Sequence, residues 1–366
     1  MTRMQRFETP VVVILFNRPD RVEELLQVLR IVRPTRILAI ADGPRLAHPD
    51  DGELCRQARA VLDKIDWPCS LEREFSKTNL GCDTRMVSGL TWAFARTDQA
   101  IVLEDDILPH PTFLLWAEAM LRRFAHDPTV GMICGRNPLG AWGEPNQDHI
   151  RGRNGSIWGW ASTSRAWRQI QSQDLSDNSE DASTRLACEG LDPLLRAHHA
   201  IALQLLRRGE LSAWDVIFSL RIAAAGLHSI TSPVNLIRNT GIGPSATRTL
   251  FAEDFNALLR PSEARPVGQN YEALPPDQGF DRASLLVQLL GRCRNPAMAS
   301  RLATLASTNP SLPLDPATRH HLTPLIKAEE SLQWLEHLAS QGISSPLFNQ
   351  LIAVLRARNL QHVQTP

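Results

Sequence analysis

VVVILF at positions 11–16 is an unbroken run of six apolar residues, three of them valine. A short run without polar alternation reads as a strand buried on both faces of a parallel sheet. Asn17-Arg18-Pro19-Asp20 follows, and Asp20 with Glu23 has the spacing of a helix capping box. Val22, Leu25, Leu26 and Leu29 then recur at helical intervals, and RILAIA at 36–41 reads as a second strand ending in Asp42-Gly43. Strand, helix and strand within about thirty residues make a βαβ unit. Parallel neighbours need such a crossover, so the opening alone points to an α/β fold with a mainly parallel sheet.

The alternation continues. Residues 55–62 have a helical pattern, and 70–74 form a short candidate strand. Asp83 is placed to cap a helix carrying Met86, Val87, Leu90 and Phe94 on its inner face. A buried strand at 100–103 leads to another amphipathic helix with Phe113, Trp116, Ala117, Met120 and Phe124. Strands are expected at 130–134, 156–158 and 227–231, and a helix at 213–225; 137–155 and 171–184 read as loops. The character changes beyond residue 250. We expect a catalytic unit over 1–250, a Pro/Gly-rich linker or wrapping arm over 251–284, and a helical C-terminal region over 285–366.

Lys plus Arg equals Asp plus Glu, at 39 each. No global field therefore selects nucleic acid or an anionic membrane. The longest apolar runs are far too short for a transmembrane span, and MTRMQRFETP lacks the apolar core of a secretion signal. The six cysteines form no CxxC pair, which favours reduced thiols and a cytoplasmic location. No GxGxxG follows the first strand and no GxxxxGK[ST] occurs, which disfavours a dinucleotide-dependent dehydrogenase and a P-loop NTPase.

In an open parallel sheet, ligands bind beyond the carboxyl ends of the strands. The strand AIVL at 100–103 runs directly into Glu104-Asp105-Asp106. Three adjacent carboxylates repel one another unless a positive charge lies beside them. A hard divalent cation, Mn²⁺ or Mg²⁺, suits one or two carboxylates with water and phosphate oxygens completing its shell; a solvated acidic turn is the plainer alternative. Lys77 and Arg85 flank a helix start and could hold phosphates, or could be ordinary surface cations. Trp158-Gly159-Trp160-Ala161 could offer an aromatic face to a sugar ring, or could be core. Asp215 in Trp214-Asp215 could be a general base or a helix cap. The loop at 238–243 could close over a ligand, with Arg248 within reach of phosphates.

Taken together, the polar turn after the first strand, Asp42-Gly43 after the second, the K-x-N-x-G segment from Lys77 and the Glu-Asp-Asp strand end resemble a nucleotide-diphospho-sugar transferase of the A-type, Rossmann-like fold. The Glu-Asp-Asp form is most similar to inverting transferases of the N-acetylglucosaminyltransferase I type. The resemblance spans about residues 10–250 and is silent on the C-terminal quarter. It implies that Asp106 is the direct metal ligand, with Asp105 facing the donor's ribose or sugar and Glu104 hydrogen-bonded to the donor sugar. It further implies that Asp42 lies near the nucleobase and that Asn17 and Arg18 wall that pocket. Trp160 and its neighbours would lie where donor and acceptor sugars meet, and Asp215 would be the base. The implied partners are a nucleotide-diphosphate sugar, UDP-linked donors among the candidates, and a saccharide or glycoconjugate acceptor. Two rivals stand beside this reading: a nucleotidyltransferase, and a non-catalytic nucleotide-sugar-binding protein whose helical tail recruits a partner.

Overall fold

Strand β1 (Val11–Leu15) is buried along its whole length, and its alternate residues serve two different cores. The computed structural model describes residues 7–176, 191–241, 259–268 and 274–291, with a few isolated positions nearer the C-terminus. Helix α1 (Pro19–Val32) and strand β2 (Arg36–Ala41) complete the first βαβ unit. There follow α2 (Asp51–Ala60), β3 (Ser70–Phe75), α3 (Cys82–Phe94), β4 (Gln99–Glu104), β5 (Ile107–Pro109) and α4 (Pro111–Arg123). The described chain continues with β6 (Val130–Cys134), β7 (Ile150–Gly152), β8 (Trp160–Thr163), α5 (Ser164–Gln171), α6 (Pro193–Arg207) and α7 (Trp214–Ala224). Strands β9 (His228–Thr231) and β10 (Ile237–Asn239) and helix α8 (Gln278–Gly291) end it.

The main sheet has the order β3-β2-β1-β4-β8-β6-β9-β7. Pairs β3–β2, β2–β1, β1–β4 and β6–β9 are parallel, whereas β8 runs antiparallel between β4 and β6, and β7 is antiparallel to β9. The fold is therefore α/β with a mainly parallel sheet, as the first βαβ unit requires. Val11, Val13 and Leu15 pack with Leu25 and Leu29 of α1 and Phe113 of α4. Val12 and Ile14 face the other way, toward Met86 and Leu90 of α3, Trp167 of α5 and Phe218 of α7. Strands covered on both faces have no need of polar alternation, which is why they read as continuous apolar runs. Strands β5 and β10 form a separate antiparallel pair, Asn239 opposite Ile107, just beyond the end of β4.

Several local expectations are corrected. Helix α1 has no side-chain cap: Arg18 is its N-cap residue and Asp20 falls in the first turn. Gly81 precedes α3, and Asp83 instead accepts a hydrogen bond from the Trp214 backbone N–H at 3.0 Å. No strand forms at 156–158. The chain turns there through Gly159 at φ 64, and a Cβ on that residue would lie 2.2 Å from Ile237 Cδ1. Only glycine combines that conformation with that approach, so β8 starts after it. Strand β7 lies within the 137–155 loop. Helix α6 was not anticipated; Asp192 caps it, accepting from Leu194 N at 2.9 Å, and also pairs with Arg282 of α8. Beyond residue 176 the expected 171–184 loop lies outside the described residues, as do Arg248 and most of the expected C-terminal helical region.

The described parts of the 251–284 segment are tied to the sheet unit. Ser262 N donates to Asn235 O at 2.7 Å, Ala264 N to Thr112 Oγ1 at 2.8 Å and Gly268 N to Asp148 Oδ2 at 2.7 Å. Helix α8 begins inside that segment, and its buried Asp281 accepts from the backbone N–H groups of Arg153 and Asn154 at 2.8 and 3.0 Å. Burial pushes the Asp281 carboxyl up to about 7, against those hydrogen bonds. The folded chain then binds a proton that the unfolded chain loses near pH 4, so raising the pH between those values disfavours folding. Asp281→Asn removes this titration. The variant's stability relative to wild type should therefore rise between about pH 4 and pH 7, by up to roughly 4 kcal/mol, and level off above. Urea unfolding of both proteins across that range checks it. Among the described residues no helix is long and apolar enough to cross a membrane.

Candidate functional site

The positive charge beside the acidic triplet is Arg18, at the start of α1. Its guanidinium forks across two carboxylates, with Nη2 at 2.6 Å from Asp105 Oδ1 and Nη1 at 2.8 Å from Asp106 Oδ2. The parallel register of β1 and β4 sets Ile14 opposite Glu104, so the chain leaving β1 arrives over the residues leaving β4. Asp105 is held from the same side, since its Oδ2 accepts the Phe16 backbone N–H at 3.0 Å. Burial raises Asp105 above the ordinary carboxylate range, and Arg18 only partly opposes it. Burial likewise raises Glu104, reinforced by the charges of Asp106, Asp105 and Asp215. Although burial disfavours its charge, Asp105 and Asp106 hold Arg18 above its usual value.

Asp106 is the more solvent-exposed of the two carboxylates that Arg18 holds. Its side chain keeps 17% of its surface exposed, against 2% for Asp105. Its carbonyl accepts Thr240 N at 2.8 Å, which fixes the chain beyond β10 against it. Gly241 follows, and a Cβ there would stand 2.1 Å from Asp106 Oδ2, so only glycine lets the backbone approach the carboxylate this closely. Among the described residues no group of three or more His, Cys, Asp or Glu could hold a metal. Asp106 Oδ2 is instead engaged by the Arg18 guanidinium, which leaves Oδ1 as the oxygen not paired with that cation.

The other sequence-selected residues divide into two groups. Asn17 stays beside Arg18, with Nδ2 donating to Asp51 Oδ1 at 2.7 Å. Asp51 also receives Arg45 through Nε and Nη2 at 2.6 and 2.9 Å, and Arg45 stacks 5.3 Å from the Phe16 ring centre. The Arg45 hydrogen bonds carry Asp51 far below the usual carboxylate range. Neither Asp51 nor Arg45 was singled out from the sequence; they join Asn17 only through the β2–α2 connection.

Asp42 is a buried hub rather than an open contact. It accepts Gly43 N, Leu80 N, Gly81 N and Asn79 Nδ2 at 2.9, 2.9, 3.0 and 3.0 Å. It thus pins the 79–81 turn to the end of β2. Asp42→Ala should destabilise the protein by about 2–3 kcal/mol, because several buried donors lose their acceptor. Faster amide exchange at Leu80 and Gly81 should accompany that loss. Arg85 is buried and binds Glu74 through the carbonyl at 2.6 Å and the carboxylate, away from the triplet. Lys77 is exposed. Trp160 is fully buried in β8 among Phe94 and Phe218, its ring centre 6.5 and 5.2 Å from theirs. Its place is the core, so it offers no face to a ligand in this arrangement. The neighbouring Trp158 does reach a cavity, with the Arg136 guanidinium 4.4 Å from its ring centre.

Asp215 lies in the first turn of α7 and lines that same cavity with Trp158. The turn carrying Trp158 and Gly159 touches Ile107 and Ile237, the strands that continue from Asp106 and lead to Gly241. The cavity and the acidic triplet are therefore neighbours, and Asp215 is close enough to contribute to the shift of Glu104. Buried His199 of α6 is another wall residue, and sequence periodicity gave no sign of it.

No family profile and no curated protein matches the sequence. Solved structures with partial likeness include a protein described as a glucose-1-phosphate thymidylyltransferase from Bacillus anthracis, in complex with a sucrose. It shares 12% identity over 45% of this chain and 76% of that one, at a TM-score of 0.27. An apo UDP-glucose pyrophosphorylase shares 8% identity over 63% of this chain and 93% of that one, at a TM-score of 0.32. Similarity this low leaves the site's own geometry to carry the functional reading.

Proposed function

We propose that the protein is an inverting glycosyltransferase, moving a sugar from a nucleotide-diphosphate donor to an acceptor hydroxyl. The observation that supports this reading is the acidic strand end held by a cation, with a further carboxylate near enough for its charge to act on Glu104. The strand end is that of β4, the cation is Arg18 from the end of β1, and the further carboxylate is Asp215 at the start of α7. The resemblance of the Glu-Asp-Asp strand end to the A-type transferases supports it. A nucleotidyltransferase would be expected to carry a glycine-rich basic turn after β1, and Asn17-Arg18-Pro19 is not one.

In this reading Asp106, the more exposed of the two carboxylates that Arg18 holds, would hold Mn²⁺ or Mg²⁺. When bound, the cation supplies charge neutralisation for the departing diphosphate. The protein's own groups do the rest. Asn17, Asp51 and Arg45 beside Phe16 form a polar and aromatic wall suited to a nucleoside. Arg18 keeps Asp105 and Asp106 in position and is a second positive charge for the phosphates. Asp215 takes the acceptor proton as the hydroxyl attacks the anomeric carbon. A cytoplasmic location and a saccharide or glycoconjugate acceptor belong to the same proposal.

Isothermal titration with a panel of nucleotide sugars, with and without Mn²⁺, tests the donor site. At least one donor should bind in a Mn²⁺-dependent manner, and Asp106→Asn should remove that dependence. Mn²⁺-dependent binding that survives in Asp106→Asn would overturn the metal assignment.

A further inference from the structure

The cavity beside Asp215 holds a group that the folded chain leaves unsatisfied. His199 is 4% exposed; its Nδ1 is fully buried with no hydrogen bond among the described residues, and its ring centre lies 5.8 Å from that of His198. A neutral imidazole carries one donor and one acceptor, and leaving a ring nitrogen unmet in the interior is destabilising. Burial drives the His199 pKa down to about 4, so the ring is neutral at physiological pH. A buried, neutral histidine in a cavity wall can be met, at the ring nitrogen that is not sealed, by a ligand with hydroxyl chemistry, which donates and accepts at once.

The rest of the wall has the same character. Asn154 and Gln288 add amide groups and Ser219 a hydroxyl that donates to Asp215 O at 2.9 Å and is left to accept, while Val216 and Leu220 add apolar surface beside the Trp158 ring. Arg136 and Asp215 bring opposite formal charges, so the lining does not select an ion. The cavity measures about 140 Å³, room for one ring rather than a chain. A pyranose matches this mixture, with apolar C–H faces and a rim of hydroxyls.

We propose that this cavity is the subsite for the pyranose ring of the acceptor, and that His199 hydrogen-bonds one of its hydroxyls while another lies toward Asp215. The assignment to the acceptor rests on the glycosyltransferase reading above; the presence of a pyranose site does not.

The test uses the full chain with its histidines ¹³C-labelled at Cε1, the His199 resonance being assigned by its loss in His199→Gln. Methyl glucoside, galactoside, mannoside and N-acetylglucosaminide are titrated one at a time without nucleotide. UDP-glucose and UDP-N-acetylglucosamine with Mn²⁺ form the second arm, and UDP with Mn²⁺ the control. The His199 signal should move saturably with at least one free glycoside and not with UDP. His199→Leu should weaken that glycoside by about tenfold, the effect of one lost hydrogen bond in a dry site. Its thermal midpoint should be unchanged or higher, because an unsatisfied buried group has been removed. His199→Gln, which keeps a donor and an acceptor, should retain most of the affinity.

No movement of His199 with any glycoside or nucleotide sugar overturns the proposal. Movement with the nucleotide sugars alone overturns the acceptor assignment and gives the cavity to the donor's sugar. Glycoside binding without turnover of any nucleotide sugar would defeat the glycosyltransferase reading and leave the pyranose site standing.

Discussion

Asp215→Asn is expected to lower the rate of glycosyl transfer by about 10²–10⁴-fold, the usual contribution of a positioned general base. The change keeps the shape of the side chain and leaves the helix backbone free to form. Trp214 N remains anchored on Asp83 at 3.0 Å, and the Trp214 ring stays 5.7 Å from that of Phe218. Thermal stability and donor affinity should therefore be close to wild type, with the loss confined to kcat. That division separates a base from a helix-start residue. A purely structural Asp215 would move stability and leave turnover per folded molecule unchanged. Single-turnover transfer with saturating donor and acceptor gives the direct comparison.

Arg18→Gln is expected to be the most damaging substitution for the site's architecture. Asp105 is 2% exposed, and Arg18 is its cationic partner at 2.6 Å. Breaking a buried ion pair from one side destabilises by about 3–5 kcal/mol. Arg18 keeps 28% of its side-chain surface in solvent, so a loss on the order of 2–3 kcal/mol is the expectation for this half-exposed partner. Arg18→Lys should recover only part of it, because a point charge cannot fork across Asp105 and Asp106. Millimolar Mn²⁺ should stabilise Arg18→Gln more than wild type, since without the guanidinium a cation on Asp106 is the remaining positive charge beside both carboxylates. Denaturant midpoints of the three proteins with and without Mn²⁺ measure this; equal midpoints for Arg18→Gln and wild type would show the fork to be energetically idle.

The sequence made the layers legible because strands covered on both faces have one signature: continuous apolar runs such as 11–16 and 36–41. It made the triplet legible because three charges cannot continue a buried strand. What it hid depends on partners distant along the chain. Arg18 was read as a pocket wall, but its two carboxylate partners come from residues 105 and 106, which only the β1–β4 register brings close. Asp42 was expected beside a nucleobase, and its role as a hub was hidden because its four donors lie on both sides of a long connection. Trp160 and Trp158 are two residues apart and equally aromatic, and the turn at Gly159 decides that one enters the core while the other reaches the cavity. His199 left no trace in periodicity, since an apolar-faced helix accepts a buried histidine as readily as a leucine until its nitrogens are examined for partners.

The central claim is that Arg18, Asp106 and Asp215 serve one sugar-transfer site. It is tested most directly by mass spectrometry and anomeric NMR of the products formed from a nucleotide-sugar panel with Mn²⁺ and simple glycoside acceptors. The account predicts a nucleoside diphosphate and an extended glycoside whose new linkage has the anomeric configuration opposite to the donor's. Release of pyrophosphate with a nucleotidylated product, or tight donor binding with no product from any acceptor, would contradict it.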